Sequence, residues 1–372
     1  MKVQVDNELS KLRSIIIHRP GPELDLMTPD NIEAYAEQAD GSIIPNPHYL
    51  LFDDLVLLSR LRAEHDQIVQ VLRATCGHNG TVELRDLLRT LLYEDDAREF
   101  LIDESIRLEK SLWGRTVSSA DREFMMNHDP HSLLKTLTRG TDSQGRRILR
   151  WPLPNMIFTR DLAAIVGNNV LLTYGAKPAR KREMLLSRAL FSFHPELRDH
   201  PRLDIGPMVK TPAIEGGDIM LLGNDCVAIG VGQRTNRESA EAAAKLLLAH
   251  GMQRIYLVEI MAARATMHLD TIFTLVDHNR CLVFSPLLLE VDAMGITSVD
   301  SHGATQRRGH FLDVLAEDGM PLTPILCGGH DPIHQVREQW SDGANAFALA
   351  PGKILLYARN EQTLEQLNKG WD

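Results

Sequence analysis

Four cysteines, Cys76, Cys226, Cys281 and Cys327, are too few and too irregularly spaced to frame either a disulfide-stapled fold or a zinc site. His128 and His131 stand in an Asp/Pro-rich stretch without partner ligands, so no metal is expected. Long hydrophobic runs are also missing. The longest, such as Cys281–Phe284, falls far short of a bilayer span, which excludes a membrane partner. Met1–Ser10 carries Lys2, Asp6 and Glu8 with no apolar segment behind it, so no secretory leader is expected and the chain reads as cytoplasmic. Positive charge is in deficit, 40 Lys and Arg against 50 Asp and Glu. A net charge of −10 repels phosphate, so no nucleic acid is expected as a partner. The densest basic cluster, Lys177–Arg182, has no aromatic residue interleaved and reads as a solvated helix start.

What is there is ordinary soluble material. Of 372 residues, 44% are hydrophobic and 24% charged, enough for one large core or two modest ones. The informative feature is a repeated pattern: one polar residue, an apolar strand, a tight turn and a second apolar strand. Asp161 leads LAAIVG, turns at Asn168-Asn169 and returns as VLLTYG. Asp218 leads IMLLG, turns at Asn224-Asp225 and returns as CVAIGVG. Asp270 leads TIFTLV, turns over Asp277–Arg280 and returns as CLVFSP. Asn345 leads AFALA, turns at Pro351-Gly352 and returns as KILLYAR. Asn, Asp, Gly and Pro in the turns are what hairpin geometry favours.

Helical runs follow several hairpins, most clearly Arg237–His250 closed by Gly251, and then a strand, Arg254–Glu259. The unit is therefore hairpin, helix, strand, with Leu12–Pro20 as the strand of an incomplete copy. Such repetition implies radial or linear stacking of one supersecondary unit. A single leading Asp would read as a strand cap or turn initiator; three carboxylates in register point to a shared site. Phe52–Cys76 predicts a long helix, and Arg85–Gly140 several more with no hairpin, so residues 85–145 read as a helical insertion between 1–84 and 146–372.

The phrases PLPNMIFTRD (Pro152–Asp161), IEGGDIMLLG (Ile214–Gly223), GVGQRTN (Gly230–Asn236), MHLDTIFTL (Met267–Leu275) and REQWSDGANAFALAPG (Arg337–Gly352) resemble the arginine deiminase family, in the right order. IIIHRPG at Ile15–Gly21 and the LFDDL and EHD segments fit as well. The resemblance runs from about Leu12 to Gly370. It implies an α/β fold, a five-bladed pseudo-symmetric α/β propeller with a helical insertion, and hydrolysis of L-arginine to L-citrulline and ammonia without cofactor. Homo-oligomerisation is left open.

By that resemblance Asp161 and Asp270 grip the substrate guanidinium from opposite sides, as a carboxylate can accept two parallel N–H bonds from it. Phe158 lies against the guanidinium face or is simply core. His268 protonates departing ammonia and then activates water, with Glu215 favouring its charged form. Two residues before Asp270, His268 would point to the same side if both lay on a strand. Arg180 and Arg234 bind the substrate α-carboxylate beside Asn155, and Asp218 touches substrate or orients its neighbours.

The reaction also needs a cysteine thiolate to attack the guanidinium carbon. The resemblance places it after a glycine-rich stretch near the carboxyl terminus, and none is found before Asp372. Cys226 and Cys281 read as core, Cys76 ends a helix, and Cys327 in ILCGGHDP is a poor substitute nucleophile. The last repeat has its hairpin and helix but no following strand, which favours a chain that stops early over a natural loss. Two further readings stay open: an amidinotransferase on a related guanidine, and a non-catalytic arginine-binding protein.

Overall fold

The structure, a computed structural model, describes residues 2–38, 40–223, 225–290 and 294–370. It is a mixed α/β fold whose chain contacts divide into two compact units. The first comprises residues 1–3, 13–163 and 172–202; the second comprises 4–12, 164–171 and 203–372.

In the first unit, strand Ile15–Ile17 pairs in parallel with Thr81–Glu83. The helix between them starts at Leu58, not Phe52. Leu51 has φ +68° and the Asp54 carboxylate caps the Leu55 N–H, so the chain turns sharply here. Phe52 and Val56 instead pack as non-helical chain against Leu24, Met27, Leu50 and Leu58. Four helices follow, Leu84–Leu91, Asp95–Trp113, Ser119–Met126 and Pro130–Arg139. The Asp/Pro stretch proves to be a helix start: Asp129 accepts from the backbone N–H groups of His131 and Ser132. The first two helices pack on Pro178–Phe193.

Each leading polar residue lies in a turn or helical turn that runs into a hairpin. Strands Ala163–Val166 and Asn169–Leu172 form one, with Arg202–Leu203 added beside the second. In the second unit Ile219–Gly223 pairs with Cys226–Val231, and helix Arg237–Ala249 returns the chain to Arg254–Glu259, parallel to Cys226–Val231. Asn224 of that turn lies outside the described residues, while Asp225 has φ +57°. Phe273–Asp277 pairs with Arg280–Val283, which takes Thr323–Leu326 as its parallel neighbour. Phe347–Ala350 pairs with Lys353–Leu355, and helix Glu361–Gly370 follows. Hairpin, helix, strand thus recurs as read. The leading residues are not in strict register: the strand starts at Ile219 directly after Asp218, but at Ala163 after Asp161, Phe347 after Asn345 and Phe273 after Asp270.

Two hairpins were not read in the sequence. Tyr35–Glu37 pairs with Ile43–Pro45. Ile296–Asp300 and Gly303–Arg307 extend the central sheet, giving the order Gly303–Arg307, Ile296–Asp300, Arg254–Glu259, Cys226–Val231, Ile219–Gly223. Beneath it Tyr256, Phe273 and Phe311 meet edge to face in a core that also holds Cys281 and Cys327. At the opposite edge the amino-terminal segment closes the sheet: the Leu221 N–H donates to the Glu8 carboxylate and the Glu8 N–H to the Leu221 carbonyl. No helix among the described residues is long and apolar enough to cross a membrane.

Candidate active site

The candidate residues fall into two groups, one in each unit. In the first unit, 3-10 helix Pro154–Ile157 and the short helix Thr159–Leu162 carry Asn155 and Asp161, and helix Pro178–Phe193 carries Arg180. Arg180 donates Nη1–H to Asp161 Oδ2 at 2.6 Å and Nε–H to Glu183 Oε2 at 2.8 Å. Glu183 accepts the Asn155 backbone N–H at 2.9 Å, and the Asn155 amide donates to the Leu50 carbonyl at 2.9 Å. All four side chains are buried. Burial of a guanidinium requires such paired carboxylates, since an isolated charge there would be prohibitive.

The basic cluster Lys177–Arg182 is therefore not a solvated face. Arg180 and Arg182 are buried, and Arg182 bonds the Trp151 carbonyl and lies 3.5 Å from Glu109. Burial lowers Arg182 to about 10. Phe158, by contrast, is 48% exposed, with its ring 6.1 Å from that of Phe52, so its alternative reading as core fails.

In the second unit Glu215 is fully buried and one oxygen serves two partners. Its Oε2 lies 3.1 Å from His268 Nε2 and accepts Arg234 Nη1–H at 3.2 Å. The Arg234 Nε–H goes to Gln233, and its Nη2 faces the Met267 sulfur at 3.6 Å. His268 and Asp270 do not lie on a strand. His268 is extended, but Leu269–Thr271 is a 3-10 turn. The alternation argument for a common side therefore does not apply.

Asp218 orients this turn. Its carboxylate accepts the Leu269 N–H at 3.0 Å and the Thr235 hydroxyl at 2.6 Å, while Thr235 Oγ1 accepts the Glu215 N–H at 3.3 Å. A Cβ at Gly230 would collide with the Asp218 carboxylate, so only glycine permits this approach. Burial pushes Asp218 up to about 7 from 3.8, against the pull of His268 and the two donors. Between those values the folded chain keeps a proton that the unfolded chain has lost, so stability falls as pH rises from 3.8 to about 7. Asp218→Asn removes this titration. Urea unfolding should show the variant gaining on wild type by on the order of 1–3 kcal/mol across that window. A constant difference at every pH would mean that Asp218 is ionised throughout.

Burial pushes the Cys327 thiol up to about 12, and Cys327 is wholly inaccessible, with the Thr363 hydroxyl 3.7 Å from its sulfur. Burial likewise raises Cys76, Cys226 and Cys281. Arg254 pulls Cys226 down, but burial outweighs it, so none of the four is shifted toward the thiolate.

Residues 48–370 match the family model for arginine deiminase. The chain belongs to the arginine deiminase family. It is 32% identical to the arginine deiminase of Streptococcus agalactiae serotype V, over 97% of this chain and 89% of the relative. It is 29% identical to that of Borrelia recurrentis, over 99% and 91%. Among solved structures, an amidinotransferase from Microseira wollei in the saxitoxin biosynthetic pathway superposes with a TM-score of 0.51 at 14% identity, covering 99% of this chain and 89% of that one; this likeness concerns the fold. In this arginine deiminase family member, sequence reasoning missed Glu183 and Thr235, which hold Arg180 and Asp218. Glu183 sits one helical turn beyond Arg180, a spacing at which side chains meet, and that signal could have found it.

Proposed function

We propose that the chain recognises free L-arginine and serves its hydrolysis to L-citrulline and ammonia. The reading rests on family membership, and the observation that carries it is the Glu215 carboxylate held against both His268 and Arg234. Asp161 and Asp270 are assigned to the guanidinium, with Phe158 against its face. His268 delivers a proton to the departing ammonia and takes one from the attacking water, and Glu215 orients the imidazole. Arg180 and Arg234, with Asn155, are assigned to the α-carboxylate. Arg234 suits this because its Nη2 has only a thioether for company. Asp218 acts through the Leu269 turn and not by touching substrate. We assign the attacking thiolate to none of the four cysteines. The recurring hairpin–helix–strand groups are proposed as blades of a five-bladed propeller, interrupted by the insertion at 85–145.

Calorimetric titration of residues 1–372 with arginine and with agmatine, which lacks the carboxylate, tests the assignment. Arginine should bind at least tenfold more tightly than agmatine. Asp270→Ala should abolish binding of both, whereas Arg234→Ala should weaken arginine about tenfold to a hundredfold and erase its advantage over agmatine. Equal binding of the two ligands by the wild type, or unchanged binding by Asp270→Ala, would sink the reading.

A further inference from the structure

The first unit contains a second concentration of guanidinium groups that the arginine-binding assignment does not use. A pocket of about 400 Å³ opens between Thr28, Asn31, Arg115, Arg147, Arg150 and Trp151. Arg150 is fixed without spending its charge on a carboxylate. Its guanidinium lies over the indoles of Trp113, at 4.7 Å, and Trp151, at 5.2 Å, and its Nη2 is 3.1 and 3.2 Å from the two His48 ring nitrogens. Arg147 donates only to the Arg150 carbonyl, at 2.7 Å. Among the described residues neither Arg147 nor Arg150 has a carboxylate partner.

The negative charges nearby do not balance this. Glu109 is already shared by Arg115, at 2.9 Å, and Arg182, at 3.5 Å, and also accepts the Arg150 backbone N–H at 2.8 Å. Asp30 acts on His48 from the other wall. Three guanidinium groups thus line the pocket, while Glu109 is shared with Arg182, which Glu183 also attracts. Partial desolvation and, to a lesser degree, Arg115 lower Arg147, and desolvation and then Arg150 lower His48, so like-charge repulsion is the smaller contribution in each. A guanidinium held over aromatic faces instead of on a carboxylate keeps N–H donors for a phosphate or carboxylate fork.

We propose that this pocket binds a small, multiply charged oxyanion of the phosphate or polycarboxylate class, with Arg147 and Arg150 as its principal ligands. The proposal stands independently of the arginine-binding assignment, since the same positive field disfavours a guanidinium ligand. An occupant would also be felt elsewhere in the unit. The Asn31 carbonyl accepts the Leu50 N–H at 2.7 Å, and the Leu50 carbonyl accepts the Asn155 amide at 2.9 Å, so two hydrogen bonds separate the pocket wall from Asn155.

The test titrates residues 1–372 with pyrophosphate and with citrate at constant ionic strength, by calorimetry, with sodium chloride as control. Saturable binding of one equivalent is expected, weakening as salt rises. Binding of pyrophosphate alone assigns the phosphate class, and binding of citrate alone the polycarboxylate class. Arg147→Gln and Arg150→Gln should each weaken it at least tenfold. Arg147 is exposed and makes one backbone hydrogen bond, so its variant keeps the fold and decides the question if Arg150→Gln does not. His48 supplies a second readout by NMR. With Arg150 and Asp30 the charged groups acting on it, an added anion should raise the pH at which its ring titrates. Undiminished binding by Arg147→Gln, an unmoved His48 titration at saturation, or a response equalled by chloride would overturn the proposal.

Discussion

Residues 1–372 incubated with arginine are expected to release neither citrulline nor ammonia above the uncatalysed rate, even where arginine binds. Attack on a guanidinium carbon needs a thiolate in contact with substrate, and chemistry without it forfeits the covalent step altogether. Cys327 is the only cysteine in a motif of any interest. Burial pushes its thiol up to about 12 and so favours the protonated form, and no surface of the residue reaches solvent. Cys281 is equally buried, and Cys226 sits on a strand of the central sheet. The check is a coupled assay of both products over hours at high protein concentration, beside Cys327→Ala. Release at turnover rates typical of enzymes, lost in Cys327→Ala, would make Cys327 the nucleophile and the present assignment wrong.

Glu183→Ala should be the most destabilising single change in the first unit, at about 3–5 kcal/mol. The carboxylate is fully buried and satisfies two groups at once, the Arg180 Nε–H at 2.8 Å and the Asn155 N–H at 2.9 Å. Its removal leaves the buried Arg180 guanidinium short of one carboxylate and strands a buried backbone donor. A globular domain has only about 5–15 kcal/mol in total, so most of the margin would go. Glu183→Gln keeps the shape and an acceptor for Asn155 and should lose about half as much. The solvent-exposed pair Arg60–Glu64 serves as the control, where Arg60→Ala should change stability by less than about 1 kcal/mol. Urea unfolding followed by circular dichroism measures all three. A loss below 1 kcal/mol for Glu183→Ala would show that Asp161 alone suffices for Arg180.

The hairpins were legible because their turns are written locally: Asp225 and Pro351-Gly352 carry the backbone geometry their strands need, whereas the turn read at Asn168-Asn169 falls one residue earlier, at Gly167-Asn168, with φ +61° at Gly167 and Asn169 already in the strand. Elements whose reasons lie far off in the chain were not. Leu55 falls at helical spacing, yet it is 45% exposed, and tertiary packing of Phe52 and Val56 delays the helix to Leu58. The cluster at Lys177–Arg182 looked solvated because nothing nearby reveals Glu109, whose carboxylate meets Arg182 from another helix. The strand Gly303–Arg307 reads GATQR, with no apolar alternation to announce it, because it is exposed along almost its whole length. In the candidate site, the motifs named Asp161, Glu215, Arg234 and His268, but not the 3-10 turn that separates His268 from Asp270.

That polar strand and the segment around Glu8 decide how the second unit behaves toward other copies of itself. The central sheet contains Ile255–Val258, buried throughout and an invitation to strand addition if it lay at a border. Instead the border on that side is Gly303–Arg307, short, hydrophilic and braced by Arg307 on Glu317 and Asp318. On the other side Glu8 occupies both the donor and the acceptor of Leu221. The sheet is thereby insulated against intermolecular pairing at both rims, one by a hydrophilic fringe and the other by a single residue used as a plug.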